Sequence, residues 1–244
     1  MIEILTVCTG NICRSPLAEL LLRARLAEFS PTVASAGTRG LPSSPMTDEA
    51  IALAVAAGVD AGDAASHRSR FLTEAHLAAP DLILTMTRDH RREVVELAPS
   101  RLRGTFTIRE FERLSVGLSD DDLTQAADAV GTDAAARVRA IAAVVAAQRG
   151  VSRPPEAAID DDVIDPYRRS WQTYQRTSAQ LIPAVDAVVR AVSIALAGAT
   201  GTPEPSAAAQ RPAPQPLRSA AKHPASQGFA VGVLWEDERT RTTG

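Results

Sequence analysis

The sequence predicts an α/β fold in which helices cover a parallel β-sheet. Strand patterns and helix patterns alternate along the chain, as they do in folds with a parallel sheet. The predicted strands are short runs of nearly continuous Ile, Leu and Val, which is typical of strands buried on both faces. The 244 residues are 45% hydrophobic, with 26 basic and 29 acidic side chains, a composition typical of a globular protein.

The elements follow one another in a regular order. The chain opens on a β-prone run, and Ser15-Pro16 then predicts a helix start, with Ser15 as the N-cap and Pro16 at the first helical position. Further strands and helices are expected from apolar runs and helical spacing. The predicted strands are residues 2–7, 32–36, 81–86 and 104–108, and the later helices are residues 47–57, 88–97, two segments of 119–149 divided at Gly131, and a last helix after Tyr167.

Two segments differ from this alternation. Residues 112–159 are expected to form a helical insertion, because most of the segment is rich in Ala at helical spacing. Residues 199–244 contain many Pro, Ala, Ser and Gln, which cannot pack a core, so they are expected to form a disordered tail with a short apolar stretch at 229–235. The predicted domain is therefore residues 1–198.

Composition also excludes several classes of partner. The net charge of −3 gives no reason to expect nucleic-acid binding, which calls for clustered basic residues. The most apolar late stretch, residues 184–199, is interrupted by Asp186 and Arg190, and the first residues lack a basic secretory signal. We expect a cytoplasmic protein without membrane insertion, whose two cysteines are normally reduced. The sequence does not indicate an oligomeric state.

Residues 8–15 (CTGNICRS) contain the candidate nucleophile and the candidate anion-binding groups. They lie between the first strand and the first helix, where backbone N–H groups and the helix dipole favour an anion such as phosphate. Arg14 offers a bidentate donor pair to phosphate oxygens, and the same field favours a nucleophilic thiolate at Cys8. Gly10 permits close backbone approach, Asn11 tolerates a left-handed conformation, and Ser15 can donate to the thiolate.

The segment 7–16 (VCTGNICRSP) resembles the phosphate-binding loop of the low-molecular-weight protein tyrosine phosphatase family. The chain is also similar to this family at residues 35–38 (SAGT), 66–70 (SHRSR), 81–86 (DLILTM) and 165–167 (DPY). The resemblance covers residues 1–111 and 160–198. It implies a flavodoxin-like three-layer fold, with a four-stranded parallel sheet and helices on both faces. It also implies a protein-tyrosine phosphatase that needs no metal and no cofactor.

The resemblance also implies roles for individual residues. Cys8 attacks the phosphorus, Asp165 protonates the leaving oxygen and then activates water, and Arg14 holds the phosphate. The implied substrate-binding residues are Thr9, Gly10, Asn11, Ile12, Cys13, Ser15 and Tyr167. Ser35 and His67 are implied partners that brace the loop, although His67 also fits a purely structural histidine. Cys13 either packs beneath the loop or forms a reversible disulfide with Cys8, as the resemblance suggests.

Several functions stay open. Arginine phosphatases of the family typically have Thr where this chain has Ile12, an apolar residue that suits an aryl phosphate better, and Tyr167 offers a ring for stacking. Thiol-relay arsenate reductases need further cysteines that this chain lacks, but a reductase using an external thiol remains an alternative. The residues after Thr38 lack the aromatic wall of many relatives, and Leu41 is its candidate replacement.

A second class of function is a binding module, either a phosphotyrosine reader or a scaffold that uses its Pro-rich tail. Retention of Cys8, Arg14 and Asp165 argues against a reader without catalysis. The expected partner is a phosphotyrosine-containing protein. A bacterial tyrosine kinase in polysaccharide export, a host protein and a small phosphoester are all compatible with the sequence.

Overall fold

This computed structural model describes residues 2–199, and within them four parallel strands form one sheet. The strands are β1 (Glu3–Cys8), β2 (Thr32–Gly37), β3 (Leu82–Thr85) and β4 (Thr105–Thr107). Their order is β2-β1-β3-β4, so β1 and β3 lie at the centre. Val7 pairs with Ala36 on one side and with Thr85 on the other. The predicted four-stranded parallel sheet is confirmed.

Helices occupy both sides of this sheet, as predicted. They are α1 (Arg14–Arg25), α2 (Asp48–Ala56), α3 (Ala61–Ser66), α4 (Glu74–Ala78), α5 (Arg88–Leu97), α6 (Ile108–Ser115), α7 (Asp120–Asp128), α8 (Ala134–Ala147) and α9 (Trp171–Ala197). Alternate strand residues enter two separate clusters of buried side chains. Ile4 and Leu84 join the larger cluster with residues of α1, α6, α8 and α9, whereas Leu5 and Ile83 join a smaller cluster with Val94 of α5. This alternation produces the three-layer architecture.

The start of α1 corrects one prediction. The helix begins at Arg14, and Ser15 lies inside its first turn rather than at the N-cap. Cys13 occupies the N-cap position and makes no side-chain cap hydrogen bond. The Ser15 hydroxyl instead lies 3.0 Å from the Sγ of Cys8. The buried thiol and amide beside it provide partners for this hydroxyl, and the first-turn N–H groups are left without a side-chain cap.

The longest helix, α9, is the centre of the larger core cluster. By length and hydropathy alone it passes the test for a membrane span, with a mean hydropathy of 1.6. Its residues Val185, Val188 and Ala195 are nevertheless fully buried against the rest of the domain. The helix packs against α1, α6, α7 and α8. This burial is what a central helix of a globular core requires.

The predicted insertion consists mainly of helices α7 and α8, which flank Gly131 as expected, and residue 112 lies within α6. Arg137 of α8 is 2% exposed and joins this segment to α9. Its Nε donates to the Ala195 carbonyl at 2.6 Å, and its Nη1 contacts Asp128 at 2.7 Å and the Gly131 carbonyl at 2.9 Å. One buried guanidinium therefore links α7, α8 and α9.

The C-terminal prediction is largely untested. Residue 199 follows the end of α9, and the rest of the predicted tail, including the apolar stretch at 229–235, lies outside the described residues.

Candidate active site

The loop from Cys8 to Arg14 joins the end of β1 to the start of α1. Its carbonyl groups are occupied by donors from neighbouring segments. The carbonyls of Cys8 and Thr9 accept the N–H groups of Thr38 and Arg39, both at 2.9 Å, and the Ile12 carbonyl accepts the N–H of Thr47 at 3.0 Å. With these carbonyls held outward, the loop and the first turn of α1 present N–H groups to the pocket, which favours an anion there.

The Cys8 thiol lies inside this loop and is surrounded by donors. The residue is 2% exposed, and the Asn11 N–H donates to its Sγ at 3.3 Å. The Ser15 Oγ, 3.0 Å from the same sulfur, accepts the amide Nδ2–H of Asn11 at 3.0 Å. The Ser15 hydroxyl has two acceptors for its own proton, the Cys8 sulfur at 3.0 Å and the Ala36 carbonyl at 3.4 Å, and the sulfur is the nearer. Both donors stabilise negative charge on Cys8.

Asn11 shapes the loop. Its backbone is left-handed, with φ of 56°, which Asn tolerates better than most residues. The side chain is fully buried; Nδ2 donates to Ser35 at 2.7 Å as well as to Ser15, and Oδ1 accepts the Arg70 N–H at 2.9 Å. All three side-chain bonds fix a strained backbone, a combination found at functional sites.

A second layer of buried polar groups supports Asn11. Ser35 donates to the buried carboxylate of Glu19, which also pairs with Arg23. His67 Nε2 lies 2.9 Å from the Asn11 carbonyl, and its Nδ1 lies 3.9 Å from Glu19. Burial lowers the pKa of His67, while the Asn11 carbonyl and Glu19 act in the opposite direction. Ser35 and His67 thus lie where the sequence predicted bracing groups, and Glu19 is an addition that the sequence pattern does not single out.

Arg14 and Asp165 meet in the lining of the pocket. The Arg14 side chain is 5% exposed, and its Nη2 lies 2.9 Å from Oδ2 of Asp165. Its Nη1 donates to the Val163 carbonyl at 3.1 Å, so the segment that carries Asp165 also orients the guanidinium. Asp165 is half exposed and accepts the Tyr167 N–H at 3.2 Å. The structure therefore places the predicted acid and the predicted phosphate-binding arginine side by side.

The predicted insertion reaches this site through the segment before Asp165. Arg113 of α6 makes a two-point ion pair with Asp161, at 2.9 and 2.7 Å, and the Thr107 hydroxyl donates to the Asp161 carbonyl. The Val163 N–H donates to the Met86 carbonyl at the end of β3. These contacts fix the approach to Asp165, while no described residue of 112–159 lines the pocket itself.

His90 is a site residue that the sequence pattern does not single out. It lies on α5, at the carboxyl end of β3, where its Nε2 is 2.8 Å from the Thr9 hydroxyl and its Nδ1 is 2.9 Å from the Thr87 hydroxyl. Arg14 Nη2 also donates to Thr9, at 3.4 Å. Burial and the charge of Arg14 lower the pKa of His90 to about 3, so the ring is neutral. The neutral ring positions Thr9 in the phosphate loop.

The pocket above Cys8 has a volume of about 300 Å³. Its walls combine the loop with three apolar groups, Ile12, Leu41 and the half-exposed ring of Tyr167. Leu41 thus occupies the wall where the sequence lacks an aromatic residue. The remaining lining residues are Thr9, Gly10, Cys13, Arg14, Arg39, Asp165 and Arg168.

Cys13 also borders the pocket but faces a different environment. Its Sγ lies 3.5 Å from the Thr47 hydroxyl and 3.7 Å from the Tyr174 hydroxyl. Burial is the main cause that raises the pKa of its thiol. Both Cys8 and Cys13 are free thiols in this structure. Cys13 therefore packs beneath the loop in this structure, and its reversible disulfide with Cys8 remains a prediction.

This arrangement places a thiol, a loop with inward N–H groups, a fixed guanidinium and a carboxyl group around one pocket with apolar walls. Such a set is suited to phosphoryl transfer through a covalent intermediate. The fixed N–H donors can bind the three charged phosphate oxygens, and the carboxyl group can protonate the leaving oxygen.

Comparison with known proteins agrees with this chemistry. Residues 3–121 match the family model described as low molecular weight phosphotyrosine protein phosphatase, so Asp165 lies beyond the matched segment. The probable low molecular weight protein-tyrosine-phosphatase EpsP of Ralstonia solanacearum is 37% identical over 113 residues, which are 46% of this chain and 74% of EpsP.

Two further similarities matter for the substrate. The protein-arginine-phosphatase of Bacillus subtilis is 35% identical over 112 residues, which are 45% of this chain and 71% of that protein. The solved structure of Vibrio vulnificus Wzb in complex with benzylphosphonate superposes with a TM-score of 0.52 and 26% identity, covering 77% of this chain and 97% of Wzb. The structural similarity confirms the predicted fold.

Proposed function

The chain belongs to the low molecular weight protein-tyrosine-phosphatase family, and from that membership we propose that it hydrolyses phosphotyrosine in proteins through a cysteinyl-phosphate intermediate. Members of this family are phosphoric monoester hydrolases. The observation that carries the proposal is the convergence of Cys8, Arg14 and Asp165 on one pocket with apolar walls.

In the first step, the Cys8 sulfur attacks the phosphorus, so a P–S bond forms and the bond between phosphorus and the phenolic oxygen breaks. Asp165 gives its proton to that oxygen, and the product leaves as neutral tyrosine. The loop N–H groups and Arg14 hold the three remaining phosphate oxygens. The hydrogen bonds of Ser15 and Asn11 to Cys8 support this role for the sulfur.

In the second step, water attacks the phosphorus and the P–S bond breaks. Asp165, now a carboxylate, accepts a proton from the water, and the electron pair of the broken bond returns to Cys8 as a thiolate. The Ser15 hydroxyl, 3.0 Å from the sulfur, stabilises the departing thiolate. Orthophosphate is the second product, and the enzyme returns to its starting state.

The pocket walls favour an aryl phosphate over phosphoarginine. Ile12, Leu41 and Tyr167 offer apolar surface to a phenyl ring, whereas a guanidinium group requires polar partners. Wzb, whose solved complex holds benzylphosphonate, provides a relative with an aryl phosphate mimic. Phosphoarginine remains the second candidate substrate because an arginine phosphatase is among the relatives.

The family implies a phosphoprotein substrate. We further propose that the partner is a bacterial tyrosine kinase or another phosphotyrosine protein, and that the reaction takes place in the cytoplasm, where Cys8 stays reduced. Reaction through an external thiol with arsenate is the remaining alternative.

The decisive experiment compares release of phosphate from a phosphotyrosine peptide and a phosphoarginine peptide of otherwise identical sequence. Wild type, Cys8→Ser and Asp165→Asn are assayed under reducing conditions without added metal. We expect turnover of phosphotyrosine in wild type, none in Cys8→Ser, and a value of kcat lowered about 10²- to 10⁴-fold in Asp165→Asn. A wild type that prefers phosphoarginine would make this chain an arginine phosphatase, and binding without turnover would make it a reader.

A further inference from the structure

Two exposed arginines, Arg39 and Arg168, line the same pocket as Arg14. We propose that they select phosphotyrosine flanked by acidic side chains, so that the substrate is an acidic segment of a phosphoprotein. This inference rests on the proposed function, because it specifies which phosphotyrosine peptides the same site accepts.

The two arginines come from different segments of the pocket wall. Arg39 follows β2, where its N–H is bound to the Thr9 carbonyl, and it shares its segment with Leu41. Arg168 follows Tyr167 in the loop that carries Asp165. A peptide whose phosphotyrosine enters this pocket would therefore pass the two wall segments that carry Arg39 and Arg168.

Neither arginine has a carboxylate partner. In the described part of the chain, no Asp or Glu oxygen lies within 4.0 Å of Arg39 or Arg168, whereas the buried Arg14 pairs with Asp165. The phosphate itself is served by Arg14 and the loop N–H groups. The two exposed charges thus remain available to a negative group outside the phosphate.

The backbone at Arg168 is an independent observation. Its φ is 58°, in the left-handed region that residues other than Gly and Asn rarely adopt. In this conformation its Cζ lies 5.2 Å from the centroid of the Tyr167 ring, within the range of a cation–π contact. The strained backbone places the charge beside the aromatic wall, and strain of this kind concentrates at ligand-binding positions.

The charges of Arg39 and Arg168 indicate which peptide binds beside the pocket. Two exposed arginines in the pocket lining suit carboxylates on the residues next to phosphotyrosine, since Arg binds carboxylates with two hydrogen bonds. Basic neighbours would be repelled. Exposed pairs of this kind contribute little each, and together they give a preference of about threefold to tenfold in kcat/KM at low salt.

The test uses three phosphotyrosine peptides that differ only in the two residues beside the phosphotyrosine: Asp, Ala or Lys. Wild type is compared with the double variant R39Q/R168N, which lacks both charges. Asn is chosen at position 168 because it tolerates the left-handed backbone there. R103Q is the matched control, because Arg103 is exposed and precedes β4, at the opposite edge of the sheet. p-Nitrophenyl phosphate, which has no flanking residues, is assayed alongside.

Wild type and R103Q are expected to prefer the Asp peptide over the Ala peptide by about threefold to tenfold, with the ratio falling as salt is raised. In R39Q/R168N the ratio should fall to near one. The single variant R39E retains Arg168, so its preference for the Asp peptide should fall well below the wild-type ratio, which tests the same claim through a change at one position.

Equal kcat/KM values for the three peptides in wild type would overturn this inference and leave the proposed function intact. Retention of the wild-type ratio in R39Q/R168N would overturn it equally. A wild type that hydrolyses neither the peptides nor p-nitrophenyl phosphate would refute the proposed function, and this inference with it.

Discussion

Nη2 of Arg14 lies 2.9 Å from Oδ2 of Asp165. The guanidinium that binds phosphate in our account is thus paired with the carboxyl group that serves as acid. Phosphate oxygens and this carboxylate compete for the same guanidinium. In the proposed reaction, the arriving phosphoryl group takes the place of Asp165 as the partner of Arg14, and Asp165 in its protonated form then serves the leaving oxygen.

The first prediction concerns the leaving group. Asp165→Asn removes the proton donor, so the loss of kcat/KM should be largest for phenyl phosphate and smallest for a nitrated aryl phosphate whose phenolate leaves without help. For phenyl phosphate we expect a loss of about 10²- to 10⁴-fold. Steady-state rates across a series of aryl phosphates check it. An equal loss for every member of the series would mean that Asp165 does not act as the acid.

The second prediction concerns Ser15. Ser15→Ala removes the hydroxyl beside Cys8 and leaves the Asn11 amide with one partner fewer. We expect kcat to fall by about 10²-fold, with a smaller change in KM, because the hydroxyl stabilises the sulfur as it departs. Ser15→Thr retains the hydroxyl and serves as the rescue variant. If Ser15→Ala turned over at the wild-type rate, the hydroxyl would have no part in the second step.

The third prediction is a pH dependence of stability. The pKa of His90 is about 3 in the folded protein, below the ordinary value of about 6.5. Between these values the unfolded chain binds a proton that the folded chain does not, so the contribution of His90 is complete above about pH 6.5 and declines as the pH falls toward 3.

Urea unfolding measures this effect. From about pH 6.5 to about pH 5, wild type should lose about 2 kcal/mol of unfolding free energy through His90. His90→Asn should lose less over the same interval, since Asn carries no titrating group. Parallel pH profiles for the two proteins would show that His90 is not neutral in the folded state.

The fourth prediction concerns the ion pair between Arg113 and Asp161. Asp161 is nearly buried, and the pair fixes the segment that leads to Asp165. Arg113→Met should lower the unfolding free energy by about 1–3 kcal/mol, because it leaves a poorly solvated carboxylate without its partner. The same variant should lower kcat by a larger factor than the factor by which it changes KM.

Arg92→Gln is the matched control for this change. Arg92 also pairs with carboxylates, Asp89 and Glu96, but all three side chains are well exposed. Its loss should alter stability by less than about 1 kcal/mol. Thermal unfolding and steady-state kinetics on both variants check the pair of expectations, and similar losses in the two variants would refute a special role for Arg113.

The sequence predicted what is local in the chain. The first strand, the helix over residues 88–97 and the strand-to-helix connection between Cys8 and Arg14 each depend on neighbouring residues, and the structure contains all three. Ser15 was the exception. Its type and position indicate an N-cap, which was wrong, because its hydroxyl is occupied by the contact with the Cys8 thiol that the sequence also suggested.

Contacts between distant segments were not predictable in the same way. His90 reaches the phosphate loop only because β1 and β3 are neighbours in the sheet, and Glu19 reaches Ser35 only because α1 packs beside β2. In the sequence, each is an ordinary polar residue of a helix. Asp165 was identified through the family motif, while its contact with Arg14 required the fold.

The central claim is that Cys8 carries the phosphoryl group during turnover, and one measurement addresses it directly. The protein is acid-quenched during hydrolysis of an aryl phosphate, digested, and analysed by mass spectrometry for a phosphorylated peptide. Our account predicts one phosphoryl group on Cys8 in wild type and none on Cys8→Ala. Steady turnover by Cys8→Ala, or phosphate on a different residue of the wild type, would contradict it.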